Sequence, residues 1–131
     1  MKALGLICLL IFCATVCVAW DMTGFIRPWH IGNLKGYRKV RVVLVAAGEW
    51  EKKCGEDIPT PEGYFSITCD WPNTLPTKRN LYVYHRIFYG SQCRFTVFQD
   101  VGLSKDTEWR ISSSDSGTAD ESQCPVELYP P

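Results

Sequence analysis

Beyond residue 19, no stretch of this chain repeats its apolar side chains at helical spacing. Short β-branched and aromatic runs recur between Gly, Pro, Asn and Asp clusters instead, which leaves strands as the building units. Asp21–Arg27 reads as a first strand and His30–Gly36 as a Gly/Asn loop. Lys39–Ala47 (KVRVVLVAA) alternates at its start and then turns apolar on both faces, the pattern of a strand that begins at a rim and ends centrally. The charged, proline-containing stretch Gly48–Pro61 reads as loop with room for a short edge strand. A Pro61-Glu62-Gly63 turn leads into a strand at Tyr64–Cys69. Asp70–Thr77 is loop, because its prolines cannot sit inside a ladder.

The clearest hairpin joins Leu81–Phe88 (LYVYHRIF) to Cys93–Gln99 (CRFTVFQ). A two-residue Gly90-Ser91 turn sets Val83 and Ile87 on the same face as Arg94 and Thr96. A three-residue Gly90-Ser91-Gln92 loop instead gathers Leu81, Val83, His85 and Ile87 with Cys93, Phe95 and Val97. A slip of one residue exchanges the two faces, so burial decides the register, and it favours the three-residue loop. Tyr82, Tyr84, Arg86 and Phe88 then form an outward stripe beside Arg94, Thr96 and Phe98.

The first nineteen residues read as an address. Met1-Lys2 is positive, Ala3–Val18 is apolar, and Cys17-Val18-Ala19 puts small residues where a signal peptidase cuts. Cleavage before Trp20 leaves 112 residues, enough for a single domain with one core. It also removes Cys8, Cys13 and Cys17, turning an odd seven cysteines into four: Cys54, Cys69, Cys93 and Cys124. An even number in an oxidising compartment implies two disulfides, with three connectivities open. The longest later apolar run, Val42–Ala47, is far too short to cross a bilayer. The expected product is secreted and extracellular, with no membrane span.

Charge divides the chain. The 14 cations and 14 anions balance overall, which argues against a nucleic-acid partner. Residues 20–99 hold 11 cations and 7 anions, whereas residues 100–131 hold 2 and 7. The Ser-rich acidic run Ser112–Gln123 has too few apolar residues to fold alone. Trp109-Arg110-Ile111 and Val126–Tyr129 flank it as short edge strands. The expected organisation is a leader at 1–19 and a β-sandwich at 20–111. An acidic flexible segment and tail follow at 112–131, tied back by Cys124.

Catalytic signals are sparse. His30 and His85 are the only histidines. His85 sits among apolar strand residues as a core histidine, and His30 reads as an exposed loop residue. No Cys-x-x-Cys pair and no Gly-x-Ser-x-Gly elbow occurs, so neither a metal, a cofactor nor an enzyme activity is expected. Two surface features remain. Lys35, Arg38, Lys39 and Arg41, with Tyr37 among them, concentrate four cations in seven residues, a patch suited to anions and to peripheral contact with anionic lipid. The outward stripe of Tyr82, Tyr84 and Arg86 combines the residue types that interface centres prefer.

The order of these elements resembles the nematode transthyretin-like family of small secreted proteins. Met22-Thr23-Gly24-Phe25-Ile26 stands where that family has x-x-Gly-x-Leu, and Val40-Arg41-Val42-Val43-Leu44 where it has Val-x-Val-x-Leu. Gly63-Tyr64-Phe65 is similar to its Gly-x-Phe strand, and Leu81-Tyr82-Val83-Tyr84-His85 to its Leu-Lys-Ile-Tyr-His. The family's first-strand cysteine is missing, with Pro28-Trp29 in that region. Arg86-Ile87 replaces the acidic and cysteine residues usual after Tyr-His. The likeness spans residues 21–100 and implies a transthyretin-like sandwich of about seven strands, all-β and immunoglobulin-like. It also implies a secreted binding or signalling role without catalysis. The ligand stays open among a lipid, a small apolar molecule and a protein. The alternative is a secreted inhibitor or effector acting through the 49–61 loop and the tail.

Overall fold

The computed structural model describes residues 20–47, 51–69, 78–88 and 90–131, without the side chains of residues 20 and 69. The stretches read from sequence as the leader and as loop at Asp70–Thr77, together with residues 48–50, lie outside the described residues. Eight strands are present among them: β1 (Trp20–Pro28), β2 (Arg41–Ala47), β3 (Glu51–Asp57), β4 (Tyr64–Cys69), β5 (Lys78–His85), β6 (Arg94–Phe98), β7 (Thr107–Ile111) and β8 (Gly117–Thr118). A single 3-10 turn, Glu121–Gln123, follows. About seven strands are expected from sequence; the eighth, β8, is only two residues long.

The strands form two sheets, one ordered β4-β1-β7 and the other β3-β2-β5-β6-β8. Met22, Ile26, Phe65, Ile67 and Ile111 of the first sheet share one buried core with Val42, Leu44, Ala46, Leu81 and Val83 of the second. Strict alternation along β1 and β4 supplies half of that core, as a sheet with one face toward water requires. β7 lies parallel to β1, with Gly24 opposite Thr107. Gly24 makes this approach possible: a Cβ there would come within 2.9 Å of the Thr107 carbonyl and of Trp109 Nε1.

Two expectations need correcting. Half of the stretch read at 48–61 as loop with room for a short edge strand is the seven-residue strand β3, paired with β2 through a register shift at Leu44/Val45. Its charged sequence suits an edge strand whose outer face needs no apolar residues. The β5–β6 register also differs from the expected one. Val83 faces Thr96, Tyr84 faces Phe95 and His85 faces Arg94, so the faces of β6 are exchanged and the ladder stops at His85. Thr96 is buried because its hydroxyl meets Ser116 Oγ at 3.1 Å. Phe95 can face outward because it stacks against Tyr82, 6.2 Å between ring centres. Phe98 turns inward onto Trp109 at 5.1 Å, and Phe88 packs edge-on against His85 at 5.6 Å. Gly90 and Ser91 both adopt positive φ, 63° and 74°, in a tight reversal beyond the ladder.

The C-terminal segment is woven into the body. Cys93 and Cys124 form a disulfide with their Cα atoms 5.8 Å apart, and Cys54 is also disulfide-bonded. The Cys93–Cys124 bond eliminates two of the three connectivities open to Cys54, Cys69, Cys93 and Cys124. Tyr129 is buried; its hydroxyl donates to the Pro59 carbonyl at 2.8 Å and accepts from the Val40 amide at 3.3 Å. Lys39 donates its amide to the Glu127 carbonyl at 2.7 Å, and Arg38 forms an isolated bridge with Leu128.

Candidate functional site

Because β2, β5 and β6 are central, each presents a full outer face as well as an inner one. Alternation sends Arg41, Val43 and Val45 of β2 outward beside Tyr82 and Tyr84 of β5. Val43 and Val45 are nonetheless buried, because the tyrosines and the charged side chains of β3 lean over them. The result is a hollow of about 270 Å³ with an apolar floor, bordered by Arg41, Glu51, Lys52, Lys53, Tyr82, Tyr84 and Gln123. A second hollow, of about 300 Å³, shares Arg41 and adds Glu56, Asp57 and Ile58.

Hydrogen bonds fix the rim. Arg41 Nε donates to Glu56 Oε1 at 2.8 Å and Arg41 Nη1 to Gln123 Oε1 at 2.7 Å, while its guanidinium lies 5.4 Å from the centre of the Tyr84 ring. Lys53 Nζ reaches Glu56 Oε2 at 3.2 Å. Partial burial works to raise the Glu56 pKa, but the hydrogen bonds from Arg41 and Lys53 hold it below the ordinary value. Tyr82 donates its hydroxyl to Glu51 Oε2 at 2.7 Å. Burial, reinforced by that carboxylate, pushes the Tyr82 phenol up to about 12. The Tyr82 and Tyr84 rings are stacked with centres 6.1 Å apart. The rim therefore keeps a fixed charge pattern around a rigid aromatic wall.

Sequence reasoning placed seven residues in two candidate surfaces, and the structure regroups them. Arg41, Tyr82 and Tyr84 come together at the hollow. Lys35 is exposed on the loop before β2, where its amide caps onto Asn33 Oδ1 at 2.9 Å. Arg38 and Lys39 bind the C-terminal segment, Arg38 Nη1 donating to the Val126 carbonyl at 2.6 Å. Arg86 is set apart from the tyrosine stripe, with only 9% of its side chain exposed. Its guanidinium pairs with the Glu121 carboxylate and donates to the carbonyls of Ser91 at 3.1 Å and Glu121 at 3.0 Å. Phe95, Val43, Glu51 and Gln123 were missed; Phe95 follows from the register, and Gln123 reaches the site only through the folding back of the tail.

Among the described residues, His85 makes the one Ser–His contact. Ile87 donates its amide to His85 Nδ1 at 3.4 Å, so the neutral ring carries its proton on Nε2. Nε2 lies 3.3 Å from Ser116 Oγ, whose own proton goes to the Ser112 carbonyl at 2.7 Å. The imidazole therefore donates to the serine, the reverse of what general-base activation needs. Burial, aided by the Arg94 charge and opposed by Asp115, drives the His85 pKa down to about 4. Among the described residues, no three His, Cys, Asp or Glu side chains converge on a metal site.

No family model matches the chain, and no curated protein matches it. No helix among the described residues is long and apolar enough to cross a membrane.

Proposed function

We propose that this chain is a secreted, extracellular binding protein of the transthyretin-like type that acts without catalysis. The carrying observation is the outer-face hollow, whose floor is Val43 and Val45 and whose wall is the Tyr82–Tyr84 stack. Three cations, Arg41, Lys52 and Lys53, border it with Glu51, and Glu56 pairs with Arg41 and Lys53 from the adjoining hollow, so the rim keeps a small cationic excess. An apolar body with an anionic group fits such a lining, since the body covers the floor and the group meets the cationic rim. The size suits a small molecule or part of a lipid rather than a whole one. Further support for a binding role comes from the His85–Ser116 hydrogen-bond direction, which gives the one Ser–His pair no nucleophile.

The test is titration with 1-anilinonaphthalene-8-sulfonate and with oleate, read by probe fluorescence and by competition between the two. Saturable binding is expected, weakened about tenfold by Tyr84→Ser or by Arg41→Gln, equivalent to about 1.4 kcal/mol. Circular dichroism of each variant checks that the fold survives. Binding that is undiminished in both variants refutes the assignment to this hollow, and absence of saturable binding refutes the anionic-ligand reading.

A further inference from the structure

We propose that β7 is a self-association edge, at which two copies of the chain pair antiparallel about a two-fold axis passing between their Trp109 residues. The inference stands apart from the hollow, which lies on the other sheet.

β7 ends the three-stranded sheet and hydrogen-bonds to β1 along one side only. Beyond that ladder, the Ile111 carbonyl accepts from the Trp29 amide at 2.9 Å. Among the described residues nothing else bonds to the β7 main chain, so its outer row of amides and carbonyls is open. The other edges carry covers. β4 has its Ser66 amide capped by Asp57 Oδ2 at 2.9 Å. β3 is broken in register and carries exposed Lys52 and Lys53, and β6 is partly covered by β8. An open edge is a template for another strand.

The sequence of β7 names the strand that fits. In Thr-Glu-Trp-Arg-Ile, Glu108 and Arg110 point outward, half exposed, while Trp109 and Ile111 turn inward. A two-fold axis perpendicular to the sheet keeps outer faces together, which requires one residue to stand opposite its own counterpart across the axis. Centred on Trp109, antiparallel pairing sets Glu108 opposite Arg110 of the second copy, and Arg110 opposite Glu108 of the second copy. Trp109 then faces its own counterpart, and Thr107 faces Ile111. Both opposite-charge contacts are of the kind that stabilises cross-strand pairs. Centring on Glu108 or on Arg110 would instead put like charges face to face. In the free chain Glu108 meets Arg27 at 3.5 Å and Arg110 at 3.4 Å, and Arg110 lies 4.9 Å over the Trp29 ring; these are long, half-exposed contacts, and the second copy adds an opposite charge to each directly across the ladder. Such pairing joins two three-stranded sheets into one of six strands, and the symmetry closes at two copies. Five residues per strand make a small interface, so the association is weak and concentration-dependent.

Sedimentation equilibrium of the intact, oxidised chain from about 10 µM to about 1 mM tests this. A monomer–dimer equilibrium is expected. Glu108→Arg and Arg110→Glu should each weaken it about tenfold or more, because both cross-strand contacts become repulsive. An equimolar mixture of the two single variants should recover the dimer, since each supplies the charges the other lacks. The double variant should recover it too, and it keeps the original charge balance should either single variant fold poorly. Amide exchange within 107–111 should slow as concentration rises. A monomer throughout the range overturns the proposal. So does a dimer indifferent to the single reversals, or one that mixing fails to restore.

Discussion

Lowering the pH should unlatch this fold at His85, beginning near pH 6.5. His85 is fully buried and its pKa falls from 6.5 to about 4, chiefly by burial. Above pH 6.5 the ring is neutral in both folded and unfolded chains and its titration makes no difference. Between pH 6.5 and 4 the unfolded chain binds a proton that the folded chain refuses, so stability falls as pH falls. The slope is about 1.4 kcal/mol per pH unit, giving a loss of about 2 kcal/mol by pH 5 and about 3 kcal/mol by pH 4. Glu56 and Glu121, whose pKa values lie below 4.5, add to the loss once the pH falls through about 4.5, at the lower end of that interval. Protonation adds a donor at Nδ1, facing the Ile87 amide that now donates to it. The assay is urea unfolding of the oxidised chain at half-unit steps from pH 7.5 to 4.5, followed by tryptophan fluorescence. His85→Leu, measured in parallel, is expected to be less stable at pH 7 because Ser116 loses a donor. Its stability should nonetheless be nearly flat between pH 6.5 and 5. A His85→Leu profile as steep as that of the parent would refute the reasoning.

Two further outcomes follow from covalent and backbone geometry. Replacing Cys93 and Cys124 together by Ser removes a bond spanning 31 residues and should cost about 3–4 kcal/mol by the loop-entropy relation, read as a lower urea midpoint. Gly63→Ala should destabilise by about 1–3 kcal/mol, read as a lower Tm. The reason is that φ at Gly63 is +93° and a Cβ would lie 2.5 Å from the Ile26 carbonyl oxygen. An Ala variant as stable as the parent would show that the turn before β4 can relax.

Where burial follows simple alternation, the structure could be read from the sequence. Tyr64–Cys69 and Leu81–His85 are such cases, each with one apolar and one mixed face, and both were expected as strands. β3 was obscured because an edge strand of Glu, Lys, Cys, Gly and Asp carries no hydrophobic period. The register of β6 was obscured for another reason: Phe95 and Phe98 are aromatic residues on opposite faces, so burial alone could not choose between them. What decided it was the Ser116 hydroxyl against Thr96, twenty residues away and inside a segment that composition marks as loop. The site was legible in part. Tyr82 and Tyr84 were expected to point outward, and Arg41 was grouped with its sequence neighbours. Its real partners, Glu56 and Gln123, lie 15 and 82 residues away, beyond any local pattern. Arg86 has the composition of an interface residue, yet its neighbours are the carbonyls of the returning tail.

The place of β1 in its sheet bears on the order in which the molecule can be made. It comes first in chain order among the described strands and is the central one of the three, between β4 and β7. Gly24 meets Phe65 across one ladder and Thr107 across the other, so its partners are synthesised 41 and 83 residues later. Until they emerge, Met22 and Ile26 have no layer to enter, whereas the local pairs β2–β3 and β5–β6 can close early. Completion of the three-stranded sheet is thus a late event governed by long loop closure. A chain halted before Ile111 would hold an apolar N-terminal strand with one side of its ladder unfilled, a natural target for whatever chaperone attends its synthesis.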